Sequence, residues 1–115
     1  MIDLKNIKGI HLYSGPTDLR KSSDGLLVII QNNFDIKEIR NHLFLFSNKR
    51  KNRIKIIEVD YDGIWIYQKS LINSKYAWPK EINGIMELSE EFLNYLLKGL
   101  DITKIHQSVE LLYAY

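Results

Sequence analysis

Apolar and polar residues alternate along the chain in two different rhythms. Between Lys8 and Tyr13 the residues are largely β-branched or aromatic, with Ile10 and Leu12 on one side, which predicts a strand. After it, Leu19, Leu26 and Ile30 recur at helical spacing with Ser23 in the same row and Leu27 and Phe34 alongside. Ser14-Gly15-Pro16-Thr17-Asp18 predicts the turn into this helix, with Ser14 or Thr17 as its cap and Asp18 at the positive end of its dipole. Gly25 in the helix costs up to about 1 kcal/mol relative to alanine, which predicts close packing against a neighbour.

The middle of the chain reads as β structure. His42 to Phe46 forms one short strand, Asn48 to Asn52 a polar turn, and Arg53 to Tyr61 the next strand. Ile54 and Ile56 lie on one of its faces, Ile57 and Val59 on the other. Asp62-Gly63 marks a tight hairpin in which the glycine takes a positive φ, and Ile64 to Leu71 returns. Lys75 to Trp78 predicts a last edge strand stopped by Pro79, and a free edge there would suit a homodimer. Ser89-Glu90-Glu91 opens a second helix whose stripe is Phe92, Leu93, Leu96, Leu97 and Leu100, with Gly99 as its stop. The tail, Ile102 to Tyr115, reads as a short helix or arm. The order β-α-β-β-β(-β)-α predicts one α+β domain over residues 1–115. Its core is an antiparallel meander of four to five strands packed with two main helices.

Composition narrows the function. With 115 residues, 45% hydrophobic and 26% charged, the chain is of ordinary globular make-up. It has no cysteine, so disulfides and thiolate metal sites are excluded. The apolar runs are too short to span a bilayer and the N-terminus lacks the layout of a signal peptide, so a soluble cytoplasmic protein with no membrane partner is expected. The net charge of +2 argues for nothing by itself, but its distribution does. Lys49, Arg50, Lys51, Arg53 and Lys55 fall between Asn41 and Ile57 with no acidic residue among them, whereas acid gathers in the C-terminal third.

Chemistry by side-chain constellation is absent. His11, His42 and His106 lack zinc-type spacing. Asp60 and Asp62 stand two apart, but Asp-x-Asp-Gly is what a tight turn prefers. Gly15 stands alone, without a phosphate loop, and Ser14 has no catalytic context. Neither an enzyme nor a cofactor is expected.

Four ordered blocks carry a resemblance. The first is Tyr13-Ser14-Gly15-Pro16-Thr17-Asp18-Leu19-Arg20-Lys21-Ser22 with Asp24-Gly25-Leu26. The second is His42 to Phe46 with Asn48 to Lys55. The third is Asp60-Tyr61-Asp62-Gly63 through Trp65-Ile66-Tyr67 and Lys69, with Tyr76-Ala77-Trp78-Pro79. The fourth is Leu88-Ser89 with Leu96-Leu97-Lys98-Gly99-Leu100-Asp101. Together they resemble the TnpB accessory proteins of the insertion-sequence-sixty-six family of bacterial mobile elements, over roughly residues 10–101. The resemblance implies an accessory to DNA transposition, working beside a separate, larger transposase that holds the acidic metal centre. RNA-guided nucleases that share the TnpB name are far longer and unrelated. The chain departs from the family pattern at Ser23, Asn52, Val59, Ser70 and Ile102, where an apolar residue, an aspartate, a tryptophan, a basic residue and a tryptophan are usual.

Two surfaces follow. Arg20, Lys21, Lys49, Arg50, Lys51, Arg53 and Lys55 form a candidate nucleic-acid-binding surface for element DNA, acting on phosphates without reading bases. Its competing reading is a solvated turn and a locally paired Arg20. Trp65, Tyr67, Tyr76 and Trp78 form a candidate partner-binding surface for the transposase, or else fill a core. The leading expectation is an accessory factor that binds DNA or the DNA–transposase complex electrostatically. The alternative is a module that docks on the transposase without touching DNA.

Overall fold

Strands buried on both faces need apolar residues at every position, and Leu43 to Phe46 supplies them without a break. The computed structural model describes residues 4–80 and 84–98. A single 3-10 turn, Leu4–Asn6, precedes strand β1 (Gly9–Pro16), helix α1 (Ser23–Gln31) and strands β2 (His42–Ser47), β3 (Arg53–Val59) and β4 (Ile64–Ser70). Strand β5 (Ile85–Glu87) and helix α2 (Glu90–Leu97) follow. The five strands make one sheet in the order β4-β3-β2-β1-β5. The class is α+β, as expected, with two α-helices among the described residues. The meander holds for β2, β3 and β4, which pair antiparallel with Phe44 opposite Ile57 and Ile57 opposite Ile66.

The sheet departs from a pure meander at two places. Strand β1 runs parallel to β2, with Ile10 opposite Leu43 and Leu12 opposite Leu45, because α1 crosses between them. The predicted strand at Lys75 to Trp78 does not form. Tyr76 N–H donates instead to Lys51 C=O (2.7 Å), and the Trp78 indole N–H donates to Tyr13 C=O (3.0 Å). These bonds draw the segment across the sheet instead of along the edge of β4, so it offers no strand edge to a second copy. The chain thereby reaches the far side of β1, where β5 pairs antiparallel through His11 opposite Glu87.

A core lies on each face. On the α2 side, Ile10, Leu12, Leu43, Leu45, Ile54 and Ile56 pack with Tyr76, Trp78, Phe92, Leu93 and Leu96. On the α1 side, Tyr13, Phe44, Phe46, Ile57 and Val59 pack with Leu19, Leu26, Ile30 and Ile39. Ser89 caps α2 by accepting from Phe92 N–H (3.1 Å), while Leu97 is exposed. The stop at Gly99, the stripe position Leu100 and the tail 102–115 lie outside the described residues.

Three local expectations are corrected. Helix α1 is capped by Ser22, not by Ser14 or Thr17, because Asp18 forms its own turn by accepting from Arg20 N–H (3.0 Å) and Lys21 N–H (3.2 Å). The atoms nearest a side chain at Gly25 are those of Lys21, not of another element. The hairpin at Asp62-Gly63 needs no positive φ. Asp60 turns it by accepting from Asp62 N–H (3.1 Å), and the left-handed residues are elsewhere, at Gly15, Gly84, Asn41 and Lys51.

One polar pair is embedded beside β1. His11 Nε2 and His42 Nδ1 lie 2.9 Å apart with their rings stacked, and His11 also stacks on Phe44. The bond requires a proton on one nitrogen and none on the other. Burial holds both rings below their ordinary 6.5, and His42 adds to the effect at His11. The unfolded chain therefore takes up protons first as pH falls through 6.5, so the stability present above that pH is lost below it. We expect a lower thermal midpoint at about pH 5.5 than at about pH 7.5, and a smaller difference in His11→Phe. Equal midpoints in the unaltered protein would remove the histidine pair from the account of stability.

Candidate nucleic-acid interface

Parallel strands end at the same side of a sheet. The pairing of β1 with β2 therefore sets the segment Pro16–Arg20, which leaves β1, beside the segment Asn48–Arg53, which leaves β2. Thr17 N–H donates to Ser47 C=O (2.8 Å) and fixes the approach. Between the two segments runs an open groove of about 480 Å³, lined by Pro16, Thr17, Asp18, Leu19, Arg20, Asn48, Lys49, Arg50 and Arg53.

Asn48 builds one wall. Its Oδ1 accepts from Asn52 N–H (3.1 Å) and Arg53 N–H (3.0 Å), and its Nδ2 donates to Asn52 Oδ1 (2.7 Å). Lys51 N–H closes the turn on Asn48 C=O (3.1 Å), with Lys51 at φ 60°. Lys49 and Arg50 are carried at the exposed tip. Asp18 and Arg20 make the opposite wall through two parallel contacts, Nε to Oδ1 and Nη2 to Oδ2, each 3.0 Å. The guanidinium and backbone N–H of Arg20 hold the Asp18 carboxyl down at about 2. Four cations thus face one carboxylate.

The seven basic residues predicted for this surface divide four ways. Arg20, Lys49, Arg50 and Arg53 line the groove, and Arg53 Nε also donates to Ser70 Oγ (3.3 Å). Lys51 borders the adjoining hollow and Lys21 lines neither. Lys55 serves the fold: its Nζ donates to Leu19 C=O (2.6 Å) and Lys21 C=O (3.4 Å), fastening the Asp18–Lys21 turn to β3. Arg20 and Lys21 precede α1, so the helix start offers them no shared phosphate site. Sequence reasoning missed Asn48, whose only signal was an amide at the head of a polar turn.

Residues 8–107 match a family model described as IS66 Orf2 like protein. The chain belongs to this family. Two relatives come from Sinorhizobium fredii. The uncharacterized protein y4hO is 27% identical over 92 residues, covering 80% of each chain. The uncharacterized protein y4jC is 28% identical over 96 residues, covering 84% of this chain and 82% of the relative. No solved structure matches. IS66 Orf2-like membership ties the chain to insertion-sequence transposition in an accessory role, and the matched span includes both walls of the groove.

The aromatic surface expected of this IS66 Orf2-like chain does not assemble. Tyr76 is 2% exposed and Trp78 4%, because the loop after β4 folds them into the α2-side core. Tyr67 is half-buried and donates to Glu58 Oε1 (2.8 Å). Trp65 alone of the four stands out, 58% exposed, with its indole N–H donating to Asp60 Oδ2 (2.9 Å). Asp60 is thus occupied by its turn and by Trp65. Among the described residues no group of three or more His, Asp or Glu side chains could hold a metal ion, and no helix is long and apolar enough to cross a membrane.

Both walls rest on bonds that mutation can remove. Asn48→Ala is expected to cost about 1–3 kcal/mol in chemical denaturation, since it frees two backbone N–H groups at once. Lys55→Met is expected to cost about 1.5–3 kcal/mol through the lost charge-assisted bonds to the Asp18–Lys21 turn. Unchanged denaturation midpoints in both variants would show that neither side chain holds its wall.

Proposed function

We propose that this protein is a non-catalytic accessory factor of transposition that holds the phosphate backbone of its element's DNA in the groove between Pro16–Arg20 and Asn48–Arg53. The observation that supports this reading is the convergence of Arg20, Lys49, Arg50 and Arg53 on one open groove from two segments distant in sequence. Each cation placed against a phosphate releases a counterion, so affinity comes from charge and falls with salt. The groove is open and bordered by four cations, which suits a backbone running along it better than a small molecule that must be enclosed. DNA positioned in this way would be presented to the separate transposase, which performs the chemistry.

A second reading has its own support at the opposite edge of the sheet. Among the described residues no strand pairs with the outer side of β4, and Trp65 and Ile66 (42% exposed) face solvent from its two faces. This edge would dock on the transposase without DNA contact, and it keeps only Trp65 of the aromatic group predicted from sequence.

Fluorescence anisotropy with element-end DNA across a salt series separates the two. The groove reading expects binding at low salt with a log–log slope of about −3 to −4, reduced by about one in Arg50→Glu. Absence of binding at low salt would end the groove reading. Retention of the transposase by the triple variant Lys49→Glu, Arg50→Glu, Arg53→Glu, in a chain that never bound DNA, would establish the second.

A further inference from the structure

A second hollow adjoins the groove and is the more apolar of the two. It measures about 240 Å³, its lining is mostly apolar, and it lies between Gly15-Pro16 and Trp78-Pro79. Lys49, Lys51 and Lys80 contribute to its lining, and among the described residues no carboxylate does. Pro16, Asn48 and Lys49 belong to both hollows and form the wall between them. The hollow is built into the fold. Gly15, at φ 76°, donates its N–H to Pro79 C=O (3.1 Å), and the Trp78 indole is tied to Tyr13 C=O. An apolar slot lined in part by three lysines, sharing a wall with a cationic groove, fits a ligand whose flat apolar part sits one short covalent step from an anion.

We infer that this slot receives an unpaired base of single-stranded DNA whose phosphates run in the adjoining groove. The inference rests on the groove reading above and specifies the form of DNA. A base stacked within a duplex cannot enter the slot, whereas an unpaired base enters without the cost of unstacking a pair. An acidic peptide satisfies the three lysines but brings no flat apolar body to fill the slot. Recognition here would not depend on sequence. The one polar atom of the Trp78 side chain is spent on Tyr13, and Asn48 Oδ1 already accepts two backbone N–H groups. Those two groups are therefore committed to the fold. Every base has a flat apolar face, so packing of that face on the slot's apolar lining, to which the 4% exposed Trp78 adds little area, admits any base. The segment Tyr13 to Arg20 then has a single purpose across its length: Gly15 and Pro16 shape the slot, and Pro16 to Arg20 shape the groove.

The chain contains two tryptophans, so in Trp65→Phe the emission of Trp78 reports on the slot alone. That variant would be titrated with oligothymidine, with a duplex of equal length and with poly-glutamate at low salt. Oligothymidine is expected to bind at least about fivefold tighter than the duplex, the gain of one base packed on an apolar platform, and to change the Trp78 emission. Adding Lys80→Glu, which borders the slot and not the groove, should weaken oligothymidine at least about threefold and leave the duplex unchanged. Equal affinity for single strand and duplex, with steady Trp78 emission, would overturn the slot and leave the groove standing. Binding of neither would overturn both. A Trp78 response to poly-glutamate with none to oligothymidine would assign the slot to an acidic protein segment and overturn the inference.

Discussion

The parallel contact between β1 and β2 is the arrangement on which the other parts depend. Both strands are interior, so each must present apolar side chains above and below the sheet. Leu12, Leu43, Phe44, Leu45 and Phe46 are all fully buried as a result. Two-sided burial calls for two covers, and α1 and α2 provide one each. The same contact leaves the free side of β1 for β5 and sends the chain after β4 across the α2 face to reach it. It also gathers the exits of both strands at one end, where the groove and the slot form.

Much of this was legible from residue pattern. The central strands announce themselves through unbroken or alternating apolar runs, and Ser89 with two glutamates behind it marks the start of α2. The direction of β1 was not legible, since alternation in Lys8–Tyr13 is the same whichever way the neighbouring strand runs. Tyr76 and Trp78 misled for a related reason. Their spacing of two suits a strand, but an extended crossing segment buries every second residue in the same way, and only the bonds to Lys51 and Tyr13 distinguish the two. The Asp62-Gly63 turn is legible for an incomplete reason. The Asp60 carboxylate bends the chain and Asp60 N–H closes it on Gly63 C=O (2.9 Å), while a side chain at Gly63 would meet only open space.

The basic surface shows a similar limit. Charge alone grouped seven residues, and the fold sorts them by what each side chain meets. Lys55 could not be told from Arg53 by its position on the strand, because both lie on the α1 face of β3. What separates them is the turn at Asp18–Lys21, which offers Lys55 two carbonyl oxygens. The signal that did carry the site was the unusual string from Tyr13 to Arg20, whose parts serve as strand end, slot wall and groove wall in turn.

The Asp18–Arg20 pair gives the groove a character that a bare cluster of cations would lack. Asp18 holds the guanidinium through two parallel bonds, the geometry a phosphate would use, and its low pKa keeps it charged at any physiological pH. An arriving anion must therefore displace a resident one or share Arg20 with it. On the groove reading the site would act as an ion exchanger whose resident counter-ion is tethered to the protein. Under that reading, solitary weak anions would gain little from such an exchange, whereas a polyanion engaging Lys49, Arg50 and Arg53 at the same time would gain more.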